Sequence, residues 1–119
     1  MNNKEFGKQL ETRTKNYAIS IIKLSASLSN TPESKVIKNQ ITKSGTSVGA
    51  NYREANRSRS KADFANKIKI CESEASETVY WLDIISDLNW YDKNKIKSII
   101  VEAKEILAIF TSISKNIKK

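Results

Sequence analysis

The chain has almost no means of turning. One proline (Pro32) and three glycines (Gly7, Gly45, Gly49) are spread over 119 residues. An all-β fold needs a turn residue every few positions, and an α/β fold needs glycine-bearing loops between its elements. What remains open is a small number of long helices with short joints. An apolar fraction of 39% is enough to give each helix one buried stripe. The length is that of one domain, residues 1–119.

Apolar residues recur at helical spacing throughout. Phe6, Leu10, Tyr17, Ile21, Leu24 and Leu28, widened by Ala18 and Ile22, predict an amphipathic helix over residues 4–28. Thr31 then offers an N-cap, Pro32 fits the first helical position and Glu33 suits the positive end of the dipole. The second helix is predicted over residues 32–56, with Val36, Ile37, Ile41 and Val48 facing inward. Gly45 and Gly49 lie inside it, each costing up to ~1 kcal/mol relative to alanine. Four residues apart on one face, they admit a neighbouring backbone rather than break the helix.

Ser60, with Asp63 three residues on, starts a third helix with an approximate capping box. Phe64, Ile68, Cys71, Ala75, Thr78, Leu82 and Ile85 form its core stripe. A second stripe of Ile70, Glu74, Glu77, Trp81, Ile84 and Leu88 predicts that this helix is covered from both sides, as in an oligomer. Asp92 caps a fourth helix, whose apolar face is Ile96, Ile99, Ile100, Ala103, Leu107, Phe110, Ile113 and Ile117. Lys115, Lys118 and Lys119 fall near its negative end. Four such helices with short joints give an all-α, antiparallel, up-down-up-down four-helix bundle.

The formal charge is +8, from 21 Lys and Arg against 13 Asp and Glu. That excess points to polyanions, nucleic acid first, although lysine also serves solubility on any helix surface. There is no histidine. The usual general base, zinc ligand and physiological proton switch are therefore missing, as is the Glu-x-x-His iron motif of some bundles. No metal or cofactor is expected. Cys71, the single cysteine, has no partner for an internal disulfide, and its place on the core stripe makes it a small buried residue. The opening MNNKEFGKQLETRTK lacks the apolar stretch of a signal peptide, and no apolar run approaches the ~18 residues of a membrane span. The expected location is the cytoplasm.

The most unusual chemistry lies in TSVGANYREA. Ser44, Ser47, Asn51 and Glu54 share one helical face, and helix three offers Ser73, Glu74, Ser76 and Glu77 opposite. Ser47, Asn51, Glu54, Glu74 and Glu77 read as a polar seam fixing the register of helices two and three. Serine and glutamate without histidine or a nearby lysine do not make a nucleophile–base pair, so a catalytic pocket is the weaker reading.

The charges of helix three are also segregated. Arg57 to Lys69 holds five bases and one acid, whereas Glu72 to Asp92 holds six acids and no base. This opposes the ideal dipole arrangement. Either neighbouring subunits meet in complementary fashion, or the basic end is kept for phosphate. Arg53, Arg57, Arg59, Lys61 and Lys67 are the candidate nucleic-acid contacts. Tyr80, Trp81, Trp90 and Tyr91 cluster near the end of helix three, where packing is their expected role.

SGTSVGANYREANRSRSKADF and KIKICESEASETVYWL together resemble the bacterial four-helix-bundle family named after proteins encoded in ribosomal-RNA intervening sequences. The family pattern maps onto Ser47, Asn51, Glu54, Arg57, Ser60, Phe64, Ala75, Glu77 and Trp81. Ala55 stands where many members have glycine, which leaves the end of helix two at Glu54 or a few residues on. The resemblance implies a homo-oligomer, commonly a ring-shaped pentamer. It extends to the accessory proteins of diversity-generating retroelements, which bind nucleic acid and partner a reverse transcriptase.

The leading expectation is a non-enzymatic oligomer that binds RNA, or else DNA, through phosphates. The alternative is a structural adaptor ring that presents surface to a protein partner.

Overall fold

The computed structural model of the protein describes residues 3–117 and consists of four helices. These are α1 (Asn3–Ser27), α2 (Pro32–Ala55), α3 (Lys61–Asp87) and α4 (Lys93–Ile117). Helices of 24 to 27 residues are roughly 36–40 Å long, so they run along the 44 Å axis of a body 44 × 26 × 21 Å. The expected bundle is what forms. Lys118 and Lys119, assigned above to the negative end of α4, lie outside the described residues.

The capping residues place the joints. Thr31 Oγ1 accepts from the backbone N–H of Ser34 (3.1 Å), and Pro32 opens α2. Ser60 Oγ accepts from the N–H of Asp63 (3.0 Å) and starts α3. Asp92 Oδ1 accepts from the N–H groups of Asn94 (3.0 Å) and Lys95 (2.9 Å) at the head of α4. α2 passes through Gly45 and Gly49 without a break and ends at Ala55, with Asn56 as C-cap. α3 ends with Asn89 at φ 57°, while the N–H of Trp90 reaches the carbonyl of Ile85 (3.2 Å) and that of Asn89 reaches Ser86 (3.1 Å). This is a Schellman closure in which asparagine takes the left-handed position usually given to glycine.

The glycines set the spacing of α1 and α2. A Cβ at Gly45 would sit 2.7 Å from Ile21 Cγ2, and one at Gly49 would sit 3.0 Å from Thr14 Oγ1 and 3.3 Å from the Thr14 backbone carbon. The close approach read from their spacing is therefore made, with α1 as the neighbour.

The core is built from Leu10, Tyr17, Ile21 and Leu24 of α1, Ile41, Val48 and Tyr52 of α2, Ile68, Cys71, Leu82 and Ile85 of α3, and Ile96, Ile106 and Phe110 of α4. Each large side chain taken fully from water contributes about 1.5–3 kcal/mol. The edge of Tyr52 meets Phe110 with ring centroids 5.4 Å apart, joining α2 to α4 across the core.

Several residues assigned inward lie outside. Val36 is 58% exposed, Ile22 46% and Phe6 42%. Val36 sits about 140° around the helix from buried Ile41, so it lies off the period of the buried stripe and faces solvent. Ile106, absent from the predicted face of α4, is fully buried, and Leu107 takes the flank.

α2 with α3 and α3 with α4 pack most extensively, while α1 and α4 meet over a short stretch. There Arg13 of α1 donates through Nε to Glu102 Oε2 (2.9 Å) and through Nη2 to Glu102 Oε1 (2.6 Å) and Glu105 Oε1 (2.8 Å). This clasp draws the least packed pair of helices together.

Candidate nucleic-acid interface

Antiparallel order brings the start of α1, the α2–α3 joint and the end of α4 to one end of the bundle. Arg53, Arg57, Arg59 and Lys61 are exposed there, and Lys67 is half-buried on the next turn of α3. Lys4 and Lys8 from α1 and Lys115 from α4 join the same end, a gathering that no local sequence pattern reveals. The acids of this end are Glu5, Glu11, Glu54 and Asp63. Among the described residues none of these five candidate bases makes an ion pair; the salt bridges within 4 Å belong to Arg13. Arg57 donates weakly through Nη1 to the Arg53 carbonyl at 3.5 Å, folding one guanidinium back on the end of α2. Four exposed bases carried on a joint of five residues and the helix ends beside it are free to neutralise phosphates.

The α2–α3 contact is polar, but through different groups from those expected. Ser47 Oγ donates to the Lys43 carbonyl (2.7 Å) and Asn51 Nδ2 to the Ser47 carbonyl (2.8 Å), both along their own helix. Glu54 and Glu77 are exposed, and Glu74 is half-buried. The cross-helix bond is made instead by Thr78 Oγ1, which donates to Ser44 Oγ at 2.9 Å in a fully buried position. Short hydroxyls reach across a tight interface, whereas longer amides and carboxylates turn to solvent or to their own turn. Cys71 Sγ adds a weak bond to the Val48 carbonyl (3.4 Å).

Around this layer, burial shifts titratable groups toward their neutral forms. Burial raises the pKa of Tyr17, with the nearby Thr78 hydroxyl opposing from beyond good hydrogen-bond geometry, so that among the described residues the Tyr17 hydroxyl has no well-formed hydrogen bond. Burial pushes the Cys71 thiol up to about 12, far from the thiolate that metal binding or nucleophilic attack requires. Glu74 is raised by burial and by Glu77, with Lys43 opposing. The first stripe of α3 is buried from Ile68 to Ile85, with Phe64 half-buried at its start. The second is partly open: Ile70 is 41% and Leu88 49% exposed, with Trp81 and Ile84 half-buried between them. Tyr80 is 59% exposed and packs edge-on against Trp81.

Among the described residues, no group of three or more Cys, Asp and Glu comes together to hold a metal ion, and no helix is long and apolar enough to cross a membrane. Fold and surface thus define a class: a basic, all-helical bundle with a charged end.

The family model described as 23S rRNA-intervening sequence protein matches residues 9–117. The chain belongs to that family. It is also similar to the crystal structure of a protein of unknown function from the S23 ribosomal protein family of Bacteroides thetaiotaomicron. The two are 37% identical over 89% of this chain and 98% of the other, with a TM-score of 0.82. No curated protein matches significantly.

Proposed function

We propose that the protein is a non-enzymatic, homo-oligomeric RNA-binding protein whose basic end contacts phosphates. The observation that carries this reading is the convergence of Arg53, Arg57, Arg59 and Lys61, all exposed and without carboxylate partners among the described residues, at the α2–α3 joint. The absence of histidine and the burial of the only thiol support a binding role over a catalytic one. RNA is the first ligand to try, ahead of DNA. A cytoplasmic site of action suits the lone cysteine.

Oligomerisation draws support from the half-open second stripe of α3 and the opposite charges of that helix's two ends. A ring-shaped pentamer is the form that the resemblance implies. Light scattering reads the subunit number directly.

The RNA reading is tested by measuring affinity for RNA and DNA over a salt series, where a phosphate-binding surface loses affinity steeply as salt rises. No detectable RNA binding at low salt would end it. The same stripe of α3 favours a second reading, an adaptor that docks a protein such as a reverse transcriptase. That reading expects partner recovery to survive charge reversal at Arg57 and Arg59.

A further inference from the structure

The positive charge of the chain is not shared evenly between its halves. Residues 3–60, which form α1, α2 and the joint, carry eleven Lys and Arg against four Asp and Glu; residues 61–117 carry eight against nine. Practically the whole net charge of the described residues therefore lies on α1, α2 and the basic end. A polyanion approaching the bundle is drawn to that side.

That side has a groove. Between α1 and α2 lies an open cleft of about 340 Å³. Ala18, Gly49 and Ala50 leave its floor without bulk, and Lys15 and Arg53 flank it. Lys15, Arg53 and Ala50 are exposed. Neither base is ion-paired among the described residues. Thr12, on the rim, is exposed and its hydroxyl makes no hydrogen bond there, so it is free to donate to an oxygen. Glu11, the carboxylate in the lining, is engaged by Asn56 Nδ2 at 2.9 Å. Arg53 belongs both to this groove and to the basic end, so the two surfaces are continuous.

We propose that the α1–α2 groove is the track of a single RNA strand whose phosphates run from the basic end over Arg53 to Lys15 and Thr12. This rests on the RNA-binding reading above and adds the path and the strandedness. The groove lies between helices packed closely enough for Gly45 and Gly49 to be required. A duplex is too broad to enter such a cleft and would meet only its rim, whereas one backbone fits along it.

The test is fluorescence anisotropy of a labelled single-stranded RNA against the full chain across a salt series. Lys15→Gln removes one phosphate contact, so the slope of log affinity against log salt should become shallower by about 0.7, with affinity several-fold lower at low salt. Ala50→Glu puts a carboxylate in the groove lining at an exposed position and should weaken binding further. Lys104→Gln, at an exposed position of α4, should leave the slope as in wild type. Arg57→Gln reports on the basic end separately. If Arg57→Gln flattens the slope while Lys15→Gln and Ala50→Glu behave like Lys104→Gln, the groove is refuted and the basic end stands. If Lys15→Gln weakens duplex RNA as much as single-stranded RNA, the single-strand assignment is refuted. If wild type binds no RNA, the underlying reading falls and the groove with it. Unchanged thermal unfolding of each variant ties a binding loss to the surface rather than to the fold.

Discussion

Replacing Gly45 by alanine sets two effects of opposite sign against each other, and the geometry decides between them. In an unconstrained helix interior the change gains about 1 kcal/mol from backbone entropy. Here the new methyl would stand 2.7 Å from Ile21 Cγ2, 3.0 Å from Cγ1 and 3.1 Å from Cβ. Carbon atoms prefer about 3.5–4.0 Å, so the nearest contact is short by about 1 Å. Ile21 is fully buried and has nowhere to withdraw. α1 cannot tilt away freely, because Thr14 is packed on Gly49 one turn along. Forcing a methyl into such a site costs about 1–3 kcal/mol, and an off-rotamer isoleucine adds about 1 kcal/mol. The net expectation is a loss of roughly 1–3 kcal/mol, or about 5 °C in Tm per kcal/mol.

Urea unfolding followed by helical circular dichroism should show a lower midpoint at constant slope. Gly7→Ala is the matched control: its Cβ would meet Asn56 Nδ2 at 3.5 Å and Tyr52 Oη at 3.7 Å, which is ordinary contact, so it should stabilise by up to ~1 kcal/mol. Ile21→Ala removes both offending γ-carbons at its own cost of about 2–5 kcal/mol, and on that background most of the Gly45→Ala penalty should vanish. A Gly45→Ala protein as stable as wild type, or an equal loss on both backgrounds, would refute the packing argument.

Other consequences follow from single contacts. Arg13→Ala removes the α1–α4 clasp; both partners of its Glu102 bridge are about a third exposed, so the expected loss is about 1 kcal/mol, shrinking in high salt. Glu74 carries a pKa raised by burial and Glu77, so its ionised form opposes folding above the carboxylate range and protonation relieves this as pH falls. Glu74→Gln should therefore raise Tm at pH 7 by the equivalent of roughly 0.5 kcal/mol, with the advantage disappearing as both proteins are titrated through that range. Cys71, buried with its thiol at about 12, should react with a disulfide reagent only as fast as the bundle opens. Immediate labelling of the folded protein would contradict its placement.

What the sequence carried openly was local. Thr31, Ser60 and Asp92 cap helices because each bonds N–H groups two or three residues ahead, so type and spacing sufficed. The period of the core stripes likewise fixed four helices. Direction was harder, since an apolar side chain on the flank of a stripe reads like one at its centre. Val36 and Ile22 fell on the wrong side of that ambiguity, and Ile106 was passed over beside Leu107. The α2–α3 bond through Ser44 and Thr78 escaped because Thr78 falls within the core stripe of α3 and reads there as one of its buried members. At a tight interface the short group is the one that reaches. The Arg13 clasp, 89 residues from Glu102, had no local signal at all.

The candidate interface divides along the same line. Arg57, Arg59 and Lys61 lie within five residues, so their density was visible in the sequence; Lys4, Lys8 and Lys115 joined them only once antiparallel order folded the two termini onto the joint. The charge reversal along α3 is legible in the sequence because it is written in consecutive residues. In three dimensions the larger asymmetry is between helix pairs. α1 and α2 gather nearly all the excess charge, while the acids of α3 and α4 cancel the bases around them, in part through Glu102 and Glu105 on Arg13. A ligand that senses charge over about 10 Å meets helices as neighbours in space, not as neighbours in the chain. The groove between α1 and α2 exists for the same reason that Gly45→Ala is costly: small residues that let two helices close on each other also leave the groove open, and Lys15 and Arg53, which make no ion pair among the described residues, line it.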